Sequence, residues 1–301
     1  MFERILVALD GSELSEVSLH YATELAATLE SMVDLVYVCE PAETEYRHMH
    51  QLYIEKVAQH MKSRIKAYQP GTELPASRVK PVILDGEPAA EILNYAEKND
   101  IGIIVMASYG RSGILPWPWG STADKILHAA HRPLLLIKPE TPVTEKEQGK
   151  LLSKILLPLD GSKTGEAALP HVKEIARRIK TEIVLLQVVP LGQYTHTVGG
   201  TNYVLFPEQE VQNLQARAKE YLEETAEELK GTKATVMVEV KTGQADQEII
   251  KFAEHEDVRL VAISSHGRSG LKQWMTGSVT HKVLQASHTP VLVVRVLEAK
   301  A

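Results

Sequence analysis

Ile5-Leu6-Val7-Ala8-Leu9-Asp10-Gly11-Ser12 opens the chain, and Ile155-Leu156-Leu157-Pro158-Leu159-Asp160-Gly161-Ser162 returns 150 residues later (10 to 160). Each run has the length and branched apolar character of a strand and ends in turn-forming residues. Further along, Gly110-Arg111-Ser112-Gly113 comes back as Gly267-Arg268-Ser269-Gly270. Gly120-Ser121 returns as Gly277-Ser278, Pro133 as Pro290 and Gly86 as Gly243, all 157 residues apart. A constant spacing within each half is the mark of a duplicated domain. The step from 150 to 157 requires an insertion in the second copy before Gly243, and the polar segment 193–201, with Gly199-Gly200, is the expected place.

Within the first copy, strand-like runs fall at 5–9, 33–38, 79–84, 101–107 and 134–138. Amphipathic stretches separate them at 13–30, 43–68, 87–99 and 121–131. Nearly all-apolar strands joined by helices mean a parallel sheet covered on both faces. Right-handed crossovers then leave a few doubly wound orders. Pro81 cannot donate to a strand ladder, which puts the third strand at an edge, and the alternation in 235–240 says the same of its counterpart. The expected fold class is α/β: two tandem doubly wound domains, each a five-stranded parallel sheet in the order 3-2-1-4-5. The first domain spans 1–140 and the second 151–301. A linker at 141–150 is suggested by Pro139, Pro142 and the charged residues that follow.

The composition is that of a soluble globular chain of 301 residues, with a net charge of −6 that argues against a non-specific nucleic-acid binder. No apolar run is long enough to cross a bilayer. The single cysteine, Cys39, excludes an intrachain disulfide, fits a cytoplasmic protein and reads as a buried core thiol.

In the order 3-2-1-4-5 the loops after strands one and four meet at the switch point, where open α/β sheets bind ligands. These loops are the segments that repeat best. Gly110, Gly113, Gly267 and Gly270 are read as allowing positive φ and close backbone approach to a ligand. Gly120-Ser121 and Gly277-Ser278 open helices whose N–H groups attract anions. Arg111 and Arg268 suit phosphate, while Asp10 and Asp160 suit a ribose or an adenine amine. The plainer readings are that Ser121 and Ser278 are helix N-caps and that Asp10-Gly11-Ser12 is an ordinary turn.

At these residues the chain resembles the tandem form of the universal stress protein family. The resemblance rests on the opening Ile-Leu-Val-Ala-Leu-Asp-Gly-Ser, the Ser-Tyr-Gly-Arg-Ser-Gly and Ser-His-Gly-Arg-Ser-Gly loops, and the closing Arg-Pro-Leu-Leu-Leu-Ile and Thr-Pro-Val-Leu-Val-Val. ATP-binding members of that family carry Gly-x2-Gly-x9-Gly-Ser/Thr. Here nine residues separate Gly110 from Gly120 and Gly267 from Gly277, while Ala107 and Ser264 replace the first glycine. The resemblance implies a stress-response regulator that holds adenine nucleotide, ATP or AMP, with or without magnesium, in one or both domains. It implies that Asp10, Asp160, Val38 and Val188 frame the adenine and that Ala8, Pro158, Met106 and Ile263 line base and ribose. Gly120, Ser121, Thr122, Gly277, Ser278 and Val279 would hold phosphate, and Gly243 joins the expected set. The second copy is favoured because Pro158, His266 and Val279 are the more typical residues. The resemblance also implies an intrachain pseudo-dimer through the fifth strand of each domain, with further homodimerisation open.

Two other functions remain open on the residues: a ligand-free scaffold whose sites Ala107 and Ser264 have closed, and a slow ATP hydrolase. No Walker or dinucleotide fingerprint follows the first strand, and no catalytic residue is assigned. His48, His50 and His60 are a weak metal signal, with no acidic or cysteine partner evident and no metal assigned. Tyr46, Leu52, Tyr53, Met61 and Tyr68 are expected to form one packing face of their helix.

Overall fold

The computed structural model describes residues 1–68, 78–110, 120–139, 150–190, 192–197, 200–205, 208–266 and 277–296. Of the linker expected at 141–150, only Lys150 lies among them. In the first half, β1 (Arg4–Leu9), α1 (Glu13–Leu29), β2 (Met32–Cys39), α2 (Arg47–Tyr68), β3 (Val79–Asp85), α3 (Pro88–Lys98), β4 (Ile103–Ala107), α4 (Ser121–Ala129) and β5 (Leu134–Ile137) alternate strictly. The second half repeats the plan with β6 (Lys154–Pro158), α5 (Leu169–Arg178), β7 (Thr181–Val189), β8 (Gly192–Thr197), β9 (Gly200–Leu205), α6 (Glu208–Glu227), β10 (Ala234–Thr242), α7 (Ala245–His255), β11 (Leu260–Ser264), α8 (Ser278–Ala286) and β12 (Val291–Val294). The antiparallel β8–β9 hairpin occupies the place of the expected insertion.

Ten strands form one sheet in the order β10-β7-β6-β11-β12-β5-β4-β1-β2-β3. Each half therefore has the order 3-2-1-4-5 and is parallel throughout. The halves meet where β5 and β12 pair antiparallel, with Leu136 opposite Val291, Leu135 opposite Leu292 and Leu134 opposite Val293. Two strands of four residues each are thereby relieved of an unpaired edge. Pro81 sits on the outer strand β3, as its missing N–H demands.

Period-two alternation sends Ile5, Val7 and Leu9 to one face of the sheet and Leu6 and Ala8 to the other. Both cores run across the seam: Leu135 and Leu292 belong to the first, and Leu134, Leu136, Val291 and Val293 to the second. Polar ties reinforce the junction. Leu151 N–H donates to the buried Glu24 carboxylate, Arg178 donates to Leu29 O at 2.9 Å, and Arg295 donates to His128 O at 2.6 Å.

Two local expectations need correction. The second helix begins at Arg47, because Pro41–Tyr46 forms a separate 3₁₀ turn with the proline in its first turn. Its buried stripe is Ile54, Ala58, Met61 and Ile65. Tyr53 and Tyr68 pack beside that stripe, whereas Tyr46 and Leu52 are exposed. The helical phase fixed by Ile54 and Ala58 turns Leu52 outward.

Candidate functional site

A cavity opens at the switch point of each half. The first, of about 230 Å³, lies between the carboxyl ends of β1 and β4, the end of β2 and the starts of α3 and α4. Ala8, Asp10, Val38, Met106, Ala107, Gly110, Gly120, Ser121 and Thr122 line it, so the residues singled out from sequence converge there. The second, of about 290 Å³, is lined by Pro158, Asp160, Val188, Ile263, Ser264, Gly277, Ser278 and Val279. Both volumes approach the lower end of small-molecule sites, roughly 300–1,000 Å³. Arg111, Gly113, Gly267, Arg268 and Gly270 lie outside the described residues. Gly243 does not line the second cavity; it makes the turn out of β10, donating to Val189 O at 3.0 Å.

The turn after the first strand is built alike in both halves. Asp10 Oδ1 accepts from Ser12 N–H at 3.0 Å and from Ser12 Oγ at 2.6 Å, and Asp160 accepts from Ser162 with the same two distances. Gly11 and Gly161 provide the left-handed backbone at φ +81° and +78°. The carboxylates are thus clamped at the cavity wall while they also serve the turn. Gly110 has a different reason from the one expected. Its backbone has no positive φ, but a Cβ there would meet Asp10 Oδ2 at 2.0 Å. The glycine makes room for the aspartate.

The second half makes room for its aspartate at a different glycine. Gly165 stands where the first half has Ser15, and a Cβ at Gly165 would lie 2.2 Å from Asp160 Oδ1. Leu169 begins the full helix four residues later, after a short 3₁₀ turn, with Pro170 in its first turn.

At the helix starts the N-cap reading of the serines is overturned. Gly120 and Gly277 occupy the cap positions, Ser121 and Ser278 are the first helical residues, and no side chain caps either helix. Gly120 N–H donates to Ser108 O and Gly277 N–H to Ser265 O, both at 2.7 Å, which ties each helix start to the end of its fourth strand. An uncapped helix start that borders a cavity presents backbone donors and the positive dipole end to it. Polar groups nearby point the same way. Ser108 lines the first cavity, and its Oγ is buried without a hydrogen-bond partner. In the second half Ser264 Oγ is spent on His266 O at 2.6 Å, and Thr280 Oγ1 donates to Ser264 O at 2.7 Å.

Sequence reasoning missed one wall of each cavity. Pro88 and Ile92 contribute it in the first half, and Ala245 and Ile249 in the second. Each pair is 157 residues apart, so the repeat spacing already held the signal.

A cavity at the switch point of each of two edge-joined domains defines a tandem doubly wound α/β protein with two ligand-sized sites. The family model described as the universal stress protein family matches residues 1–138 and again 152–295. The chain belongs to that family. It is 35% identical over 155 residues to universal stress protein MJ0577 of Methanocaldococcus jannaschii, covering 48% of this chain and 96% of the relative. Over its length it is 24% identical to universal stress protein Rv2623 of Mycobacterium tuberculosis, covering 97% of this chain and 96% of that one. A solved universal stress protein from Archaeoglobus fulgidus shares the fold, with a TM-score of 0.68, 19% identity, and coverage of 98% of this chain and 99% of that chain. No helix among the described residues is long and apolar enough to cross a membrane.

Proposed function

We propose that this chain is a stress-response regulator that holds an adenine nucleotide, ATP or AMP, at the switch point of one or both halves. The observation that carries the reading is the pairing, twice in one chain, of an apolar slot, a clamped aspartate and an uncapped helix start around one cavity. The apolar walls suit a base, the aspartate a ribose hydroxyl or exocyclic amine, and the helix N-terminus a phosphate.

The second half is the favoured site. Its cavity is the roomier of the two, about 290 Å³ against about 230 Å³, and the buried Tyr109 lines only the first cavity. The competing reading is a scaffold without ligand. It is favoured by the Cβ atoms that Ala107 and Ser264 place in the cavity linings.

Titration calorimetry with ATP, AMP and ADP, with and without magnesium, decides between them. A Cβ at Gly277 would stand 3.1 Å from Ser265 O, so Gly277→Val crowds the helix start without a φ penalty. It should weaken nucleotide binding by at least about tenfold, or 1.4 kcal/mol, while Gly120→Val leaves the stronger site intact. No binding heat from the wild-type chain supports the scaffold. Loss with Gly120→Val and retention with Gly277→Val moves the site to the first half.

A further inference from the structure

We propose that Cys39, Glu43 and His50 form a binding site for one zinc ion, apart from the nucleotide cavity. Cys39 ends β2, Glu43 lies in the 3₁₀ turn Pro41–Tyr46, and His50 is in the first turn of α2. One ligand-capable atom from each lies within 4.8 Å of the others. The sequence reading of a histidine signal without cysteine or acidic partners is thereby corrected. The 3₁₀ turn folds the strand end and the helix start back on one another, which brings together residues that are 4 and 7 positions apart in the sequence.

The geometry is close to what a metal requires. Tetrahedral zinc with bonds of about 2.0–2.3 Å holds its ligand atoms roughly 3.5 Å apart. A contraction of about 1 Å, within the reach of side-chain torsions, completes the set, with water in the fourth position. The imidazole has unused capacity, because His50 Nδ1 is enclosed and has no hydrogen-bond partner. The Tyr37 ring lies against it at 4.4 Å and 31°, which limits its rotation.

The donor set selects the metal. Thiolate, imidazole and carboxylate suit zinc, whereas calcium and magnesium want oxygen ligands throughout. Thiolate and carboxylate also neutralise a divalent cation, which favours a partly enclosed position. The site is distinct from the nucleotide cavity because Cys39 faces the core on the helix α1 and α2 side, while Val38 lines the cavity on the opposite face. It is confined to the first half. Cys39 O accepts from Gly86 N–H as Val189 O accepts from Gly243 N–H, so a valine holds the cysteine's place, and the β8–β9 hairpin follows it. Zinc would pin the end of β2 to α2.

The test uses the reduced full-length chain after chelator treatment. Competition against a chromophoric zinc indicator should give one zinc per chain. Cobalt should give a thiolate-to-metal charge-transfer band and tetrahedral ligand-field absorption. Cys39→Ser should abolish the charge-transfer band. Removal of an outer partner of a metal ligand already costs about 10–100-fold in affinity, so Glu43→Gln and His50→Gln should each weaken zinc by at least tenfold. His48→Ala and His60→Ala, at exposed positions, should change nothing. Circular dichroism checks that each variant folds; if Cys39→Ser does not, the partly exposed Glu43 and His50 decide the matter. Absence of stoichiometric uptake by the wild type overturns the proposal, as does uptake unchanged by Glu43→Gln and His50→Gln. Nucleotide calorimetry is read separately, so failure here leaves the nucleotide proposal standing.

Discussion

Consider replacing Leu135 with alanine, Leu292 with alanine, and both together. The two leucines are register partners across the antiparallel seam, each 1% exposed, and both belong to the core that runs through the two halves. Each replacement removes three carbons from a dry site. At about 0.8 kcal/mol per buried methylene the transfer loss is about 2.4 kcal/mol. The unfilled cavity raises it toward the 2.7–5 kcal/mol range known for buried Leu→Ala changes, so about 3 kcal/mol is expected for either single variant. Directly opposed residues in an antiparallel pair also stabilise one another by roughly 0.2–1 kcal/mol. Because residues in direct contact couple by about 0.5 kcal/mol or more, the double variant should lose about 0.5–1 kcal/mol less than the sum of the singles. Urea unfolding followed by far-ultraviolet circular dichroism measures all three at one pH and temperature. Because the core crosses the seam, either variant should lower the midpoint of a transition shared by both halves, with its slope kept. Strict additivity within about 0.3 kcal/mol, or two separate transitions each moved by only one of the substitutions, would refute the seam.

Two further outcomes follow from buried polar groups. Burial lowers the pKa of His171, and the N-terminal amine adds to the shift while a hydrogen bond with the Ala167 backbone partly opposes it; burial and then Arg64 lower that of His20. Each ring takes up its proton at a lower pH in the fold than in the unfolded chain, which protonates as pH falls through about 6.5. The stability that this provides is present above that value and is lost as pH falls toward the folded pKa. Melting temperatures at pH 7.5 and 5 should differ less in His171→Gln than in the wild type, and an equal difference would count against this account. Asp34 is buried under Arg4 at 3.2 Å and accepts from Tyr95 Oη at 3.1 Å. Burial first, then the Asp34 charge, push the Tyr95 phenol up to about 12. Asp34→Ala should cost about 1–3 kcal/mol and bring the Tyr95 titration down toward 10 in ultraviolet difference spectra. An unmoved titration would mean that burial alone sets it.

The strand order was legible because two constraints with separate causes agreed. The missing N–H of Pro81 demanded an edge, and nearly all-apolar runs such as Ile103–Ala107 demanded cover on both faces. Most of the cavity lining followed from that order, since it brings the ends of β1 and β4 together. Contacts that depend on local backbone detail were less legible. The 3₁₀ turn that gathers Cys39, Glu43 and His50 leaves no period in the sequence. The roles of Gly110 and Ser121 also needed the chain path. A Gly-Ser pair before an apolar stretch fits a serine cap and a glycine cap equally well, and only the second leaves the helix donors uncapped by a side chain.

The comparison of the two halves says what each kind of residue is for. Positions that set the frame are nearly interchangeable between them: Asp10 with Asp160, Ser12 with Ser162, Gly120 with Gly277, and Ile92 with Ile249. Other positions at the cavity or beside it have diverged: Ser15 and Gly165, Ala107 and Ser264, Tyr109 and His266, Thr122 and Val279. Substituting Asp10, Ser12 or Gly120, or their counterparts, would strain a hydrogen-bonded turn or a helix start, because these are held by backbone geometry common to both halves. Swapping members of the second group changes the shape and polarity of the space while the sheet beneath stays as it is. A duplicated scaffold can therefore tune its two sites independently. The Gly277→Val and Gly120→Val variants probe that independence directly, since each adds bulk at one helix start, tightly at Gly277 (Cβ 3.1 Å from Ser265 O) and in ordinary contact at Gly120 (3.5 Å from Ser108 O), and leaves the other half untouched.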